Sequence, residues 1–151
     1  MPGPSAESRA LLQEIYLQDL VLSLYRVYAA TIRDPEGRRH IEDYLLAETD
    51  RGRRIERRLS GRGAAASSLV RALFAAAGRS YGRLTSVLGT RVMLRIALSA
   101  SQRASKRACA LLGGDSTDPE MVYLSTLRAR NEGELMDALR QHLIDTSSRR
   151  P

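Results

Sequence analysis

The sequence predicts an all-α protein built as a bundle of four long helices. Apolar residues recur at three- and four-residue spacing over long stretches. β-Branched runs and alternating apolar–polar patterns are scarce. Ala, Leu and Arg dominate the chain, and all three favour helix.

At 151 residues the chain fits one domain with a real core. Residues 1–8 read as a loose tail, 9–145 as the bundle and 146–151 as a second loose tail. The net charge is +7 and the pI about 10.3, a balance that attracts phosphate-bearing partners or anionic lipid. Nearly all the basic residues are Arg, with Lys106 the only Lys, so a codon preference and a well-solvated face explain much of that charge. Cys109 stands alone, which excludes an intramolecular disulfide, and its neighbours Ala108, Ala110 and Leu111 mark it as a small buried filler. There is no signal-peptide pattern and no run of apolar residues long enough to span a bilayer. The expected setting is cytoplasmic, with peripheral membrane contact left open.

The first helix is expected from Arg9 to Arg33. Leu11, Ile15, Gln18, Leu22, Tyr25, Ala29 and Ile32 share one face, and Gln18 is its polar interruption. Asp34-Pro35-Glu36 restarts the chain as a cap, a first-turn proline and a first-turn acid, so a second helix runs to Leu59 and pairs with the first as a hairpin. Ser60-Gly61-Arg62-Gly63 stops it. The apolar crossover from Ala64 to Gly89, broken by Gly78 and Gly82, predicts a short helix of about three turns and then a bend. A third long helix carries Thr90, Leu94, Ala97, Ser101, Ala104 and Ala108 on its inner face and ends at Gly113-Gly114. Asp118-Pro119-Glu120 repeats the cap signature, and the last helix runs to Ile144 with Leu124, Asn131, Leu135, Ala138 and His142 on one face, flanked by Leu127 and Glu134.

The second helix holds the residue that matters most. Ile41, Leu45, Glu48, Gly52, Ile55 and Leu59 share a narrow arc, so Glu48 points inward, and Arg51 follows one turn on. An inward carboxylate in mid-helix needs a metal, a proton or a cation. Gln18, Glu48, Ser101 and Asn131 each interrupt an apolar face near mid-helix and should converge as one buried polar layer.

Four helices paired as two hairpins across a long crossover resemble the ferritin-like bundle. The stretch GRLTSVLGTRVMLRIALSASQRASKRA, residues 82–108, is similar to the Gly-rich segment leading into the third helix of the demethoxyubiquinone hydroxylases. That resemblance implies an antiparallel ferritin-like four-helix bundle with an extra short helix in the crossover. It also implies a di-iron centre with one Glu from each of the first and third helices and a Glu-x-x-His pair from each of the other two. Carried onto this chain, those positions hold Gln18, then Glu48 and Arg51, then Ser101 or Gln102, then Asn131 and Glu134. No His stands at either pair.

Such a set suits iron poorly, and Arg51 stays charged. The expected arrangement is Arg51 paired with Glu48, and with Glu134, in place of a metal, so no metal or other cofactor is called for. The other readings are Arg51 snorkelling outward with Glu48 half-exposed, or a bound divalent ion. His40 and His142 are expected in ordinary structural roles. His142 lies about 16 Å along its helix from Asn131, too far to serve a central site. No catalytic triad, Glu-x-x-His, P-loop or zinc spacing occurs.

Two surfaces remain. Arg53, Arg54, Arg57 and Arg58 form the densest basic patch, yet no aromatics interleave for base stacking, which disfavours nucleic acid. Leu73, Phe74, Tyr81, Leu84 and Leu88 mark the crossover as a lipid or partner surface, or as the closure of the bundle end or a dimer interface. The functional expectation is a non-catalytic, metal-free relative of the ubiquinone-biosynthesis hydroxylases. It would act as a lipid- or partner-binding accessory subunit, as a homodimer or with a hetero-partner of a biosynthetic complex. The alternatives are a di-iron monooxygenase hydroxylating a quinone precursor, with iron as its cofactor, and an arginine-rich module for anionic membrane or nucleic acid.

Overall fold

A computed structural model describes residues 3–112 and 118–149, with the backbone path alone for 108–112. The expected filler role of Cys109 and the stop at Gly113-Gly114 lie outside the described residues. Those described form five helices: α1 Ala6–Thr31, α2 Pro35–Gly61, α3 Ser68–Ser86, α4 Thr90–Leu112 and α5 Pro119–Ser148. No strand occurs among them, as the periodicity predicts. None of these helices is long and apolar enough to cross a membrane.

The caps explain most of the boundaries. Asp34 accepts from the Gly37 amide at 3.2 Å and Asp118 from the Glu120 amide at 3.0 Å, each followed by proline at the first helical position. The largest boundary differences from the sequence reading are at the first and last helix ends. Ser5 caps α1 through the Ser8 amide at 3.1 Å, so the helix begins inside the expected N-terminal tail and buries Ser8. At the other end α5 continues to Ser148, where the sequence reading ends it at Ile144.

The larger correction is α3. It is one continuous helix of 19 residues, not a short helix and a bend. Gly78 and Gly82 do not break it because they are what lets it lie against α1. A Cβ at Gly78 would stand 2.1 Å from the Leu20 carbonyl oxygen, and one at Gly82 would stand 2.9 Å from Val27 Cβ. Glycine spacing of four residues puts both gaps on one helix face. Tyr28 and Thr85 share a hydroxyl hydrogen bond of 2.7 Å across the same seam. Arg71 adds a bidentate grip on Asp19 of α1, at 2.7 and 3.0 Å, and reaches Glu56 of α2.

α1 and α2 form one hairpin, α4 and α5 another, and α2 packs on α5 to join them. α1 makes its largest interface with α3 and only a slight one with α4. The buried apolar side chains fall into two clusters. One gathers Leu24, Tyr25, Tyr28, Ile41, Tyr44, Met93, Leu94, Leu135 and Leu139. The other gathers Leu11, Ile15, Ile55, Leu59 and Leu124. Along α1 the two are separated by the stretch that carries Gln18, along α2 by Glu48 and Arg51, and along α5 by Asn131.

Candidate functional site: a buried ion-pair layer beside an apolar cavity

Glu48 is the centre of that separating layer. It is 4 % exposed, and both of its oxygens are engaged. Oε1 accepts from Asn131 Nδ2 at 2.9 Å; Oε2 accepts from Gln18 Nε2 at 3.0 Å and from Arg51 NH1 at 3.4 Å. Gln18 Nε2 also donates to the Glu48 carbonyl oxygen at 2.7 Å. Gly52 leaves room for that amide, since a Cβ there would stand 2.2 Å from Gln18 Oε1.

Arg51, also 4 % exposed, is fully committed. Its Nε donates to the Leu124 carbonyl at 3.1 Å and its NH2 to Glu14 Oε2 at 2.5 Å. Arg128 holds the other oxygen of Glu14. The sequence reading missed Glu14, which stands one turn before Gln18 on α1 and offered that spacing as its signal. It also missed Glu132, which is 5 % exposed. Tyr44 donates its hydroxyl to Glu132 at 2.5 Å. Burial, opposed by that hydrogen bond and reinforced by the charge of Glu48, pushes the Glu132 carboxyl up to about 7. Burial likewise raises the phenols of Tyr25 and Tyr44. Ser101, completely buried, lies beside Tyr25 and Glu132, yet its hydroxyl completes no hydrogen bond among the described residues.

Glu134 is not in the layer. It points to solvent and pairs with Arg130 at 2.8 Å, so the second carboxylate on Arg51 is Glu14. A void of about 30 Å³ among Glu14, Gln18, Glu48, Arg51, Arg128 and Glu132 has room for a single water. These residues do not fit a di-iron pair. A carboxylate already accepting three N–H groups has little left to offer a metal, and the guanidinium beside it is a fixed positive charge.

Arg51 also forms part of the wall of a cavity of about 440 Å³ between α1, α2, α4 and α5. Leu11, Leu17, Ile55, Met121, Val122 and Leu124 make it mostly apolar, and Glu14, Arg107 and Arg128 supply its polar groups.

The other predicted surfaces are altered in detail. Arg58 is not part of a free basic patch: Glu7, Asp118 and Glu120 clamp it, the first at 2.7 Å, and Glu7 also holds Arg62 at 2.5 Å. Arg54 pairs with Asp50 at 3.2 Å and lies over the Tyr123 ring, which leaves Arg53 and Arg57 exposed. On α3, Leu73, Tyr81, Leu84 and, just beyond the helix, Leu88 are exposed, joined by Leu69 and Val87. Phe74 is turned inward instead, with its ring stacked on Tyr16 at 5.7 Å. No family model, curated protein or solved structure matches this chain.

Proposed function

We propose that this chain is a non-catalytic, metal-free relative of the ubiquinone-biosynthesis hydroxylases, with α1, α2, α4 and α5 in a ferritin-like arrangement. It acts as an accessory protein that binds an amphipathic lipid whose head carries oxygen acceptors. The observation that carries this reading is the apolar cavity with Arg51 in its wall. Its volume lies within the range of small-ligand sites, roughly 300–1,000 Å³. Its polar groups include Glu14 and three guanidiniums; Arg51 is spent on Glu48, Glu14 and the Leu124 carbonyl, which leaves Arg107 and the rest of Arg128 to meet carbonyl, carboxylate or phosphate oxygens. The ion-pair layer then closes the inner end of a binding site rather than activating oxygen.

The exposed side of α3 supports delivery at an anionic membrane. Leu69, Leu73, Tyr81 and Leu84 stand beside Arg79 and Arg83, and α3 contains no acidic residue.

The test is lipid analysis of the purified chain together with its iron content after expression in excess iron. Co-purifying lipid, and saturable binding of a short-chain quinone that Ala10→Trp blocks at the cavity wall, are the expected results. About two irons per chain, lost in Glu48→Ala and accompanied by quinone-precursor hydroxylation, would overturn the reading.

A further inference from the structure

A second cluster lies about 16–22 Å along α2 from Arg51, counted to His40 and Glu36 at 1.5 Å per residue. Glu36 and His40 are one turn apart on α2 and rise from the same face. His142, 4 % exposed, crosses to them from α5. One donor atom from each of the three lies within 4.8 Å of the others, and the two imidazole rings sit 5.8 Å apart at 69°.

Asp34 decides what His142 can do there. Its Oδ2 meets His142 Nε2 and also accepts from the Gly37 amide at 3.2 Å. An oxygen accepting one N–H as a helix cap is an acceptor for the second as well, so Nε2 carries a proton. His142 Nδ1 then faces Glu36 Oε2 at 3.5 Å. An imidazole nitrogen facing a carboxylate oxygen across that gap leaves a place for a cation between them.

The position of His40 makes that cation a metal ion, because it brings a second imidazole to the same point. A histidine that ligates through one nitrogen and donates from the other to a carboxylate is the common outer arrangement of zinc sites. Arg38, two residues from both Glu36 and His40, is turned away, because it donates to the Ile32 carbonyl at 2.6 and 3.1 Å.

We propose that Glu36, His40 and His142 bind one zinc-class ion, with Asp34 as the positioning residue for His142 and a water in the fourth place. Two imidazoles and one carboxylate are a donor set that Zn²⁺ accepts. Tetrahedral donors at bond lengths of about 2.0–2.1 Å stand about 3.3 Å apart. The donor atoms, now within 4.8 Å of one another, would draw in to that span on binding. The ion would tie the first turn of α2 to the end of α5 and so join the two hairpins. This site is independent of the lipid cavity and of the layer around Glu48.

The experiment titrates Co²⁺ and then Zn²⁺ into the full chain, metal-stripped, and into His40→Ala and Glu36→Gln. The expected result is one Co²⁺ per chain with the intense visible bands of tetrahedral coordination, displaced by Zn²⁺. Zn²⁺ should also raise the melting temperature of the wild type. His40→Ala should lose the bands. Asp34→Asn should keep the stoichiometry and weaken binding about 10–100-fold. Glu36 is exposed, so Glu36→Gln carries the test if His40→Ala fails to fold. Absence of tetrahedral bands, or equal binding by the wild type and both variants, would overturn the site.

Discussion

Arg51 NH1 stands 3.4 Å from Glu48 Oε2 while its NH2 holds Glu14 at 2.5 Å, so one buried guanidinium serves two carboxylates from two helices. Breaking such a pair costs more than the pair contributes, because the remaining charge keeps its desolvation penalty. Arg51→Ala strands Glu48 and Glu14 and should lower stability by about 3–5 kcal/mol. The double variant Glu48→Gln/Arg51→Met should recover a large part of that loss. Chemical denaturation of Glu48→Gln, Arg51→Met and their double variant measures the coupling. Strict additivity would mean that Arg51 and Glu48 do not act as a pair.

The convergence of Gln18, Glu48 and Asn131 was legible because each is a lone polar residue on an apolar helical face, and periodicity alone places such residues. Ends set by Asp34 and Asp118 were legible for the same local reason. Glu132 was not: it stands beside Asn131 and off the apolar arc, and only the approach of Tyr44 from α2 brings it inside. The clamp on Arg58 was hidden too, since Glu7 and Glu120 are 51 and 62 positions away. Gly78 and Gly82 were misread as breakers because a glycine looks the same in sequence whether it ends a helix or lets another backbone approach.

That last distinction is testable. Gly78→Ala puts a Cβ 2.1 Å from the Leu20 carbonyl oxygen, a backbone atom that cannot swing aside. α1 and α3 must separate, at a cost of about 2–3 kcal/mol. Gly133 lies within α5 with nothing within 4 Å of an added Cβ. Gly133→Ala should therefore stabilise by about 0.5–1 kcal/mol through helix propensity and unfolded-state entropy. Thermal melts of the two variants should move in opposite directions. A neutral Gly78→Ala would refute the close α1–α3 contact.

The exposed side of α3 predicts salt-dependent lipid binding. Leu84 is 71 % exposed, so Leu84→Glu should leave the melting temperature nearly unchanged. It adds a negative charge to a face whose charged residues are Arg79 and Arg83. Co-sedimentation with vesicles rich in anionic phospholipid should fall sharply in this variant, and wild-type binding should weaken as salt rises. Equal binding to neutral vesicles, or no loss in Leu84→Glu, would point to a protein partner on this face.

Glu132 gives the fold a dependence on pH whose sign is set by burial. Its carboxyl sits at about 7 in the folded chain against 4.5 unfolded. The folded state therefore holds a proton that the unfolded state has released, and stability falls as pH rises from about 4.5 to about 7. Below that window both states are protonated and the contribution is fully present; above it the loss is complete. A shift of this size corresponds to at most about 3 kcal/mol. Glu132→Gln keeps an acceptor for the Tyr44 hydroxyl and removes the titration. It should flatten the pH profile between those limits and stabilise the protein at pH 8. Denaturant unfolding at several pH values measures this directly, and an unchanged slope in Glu132→Gln would assign the dependence to another group.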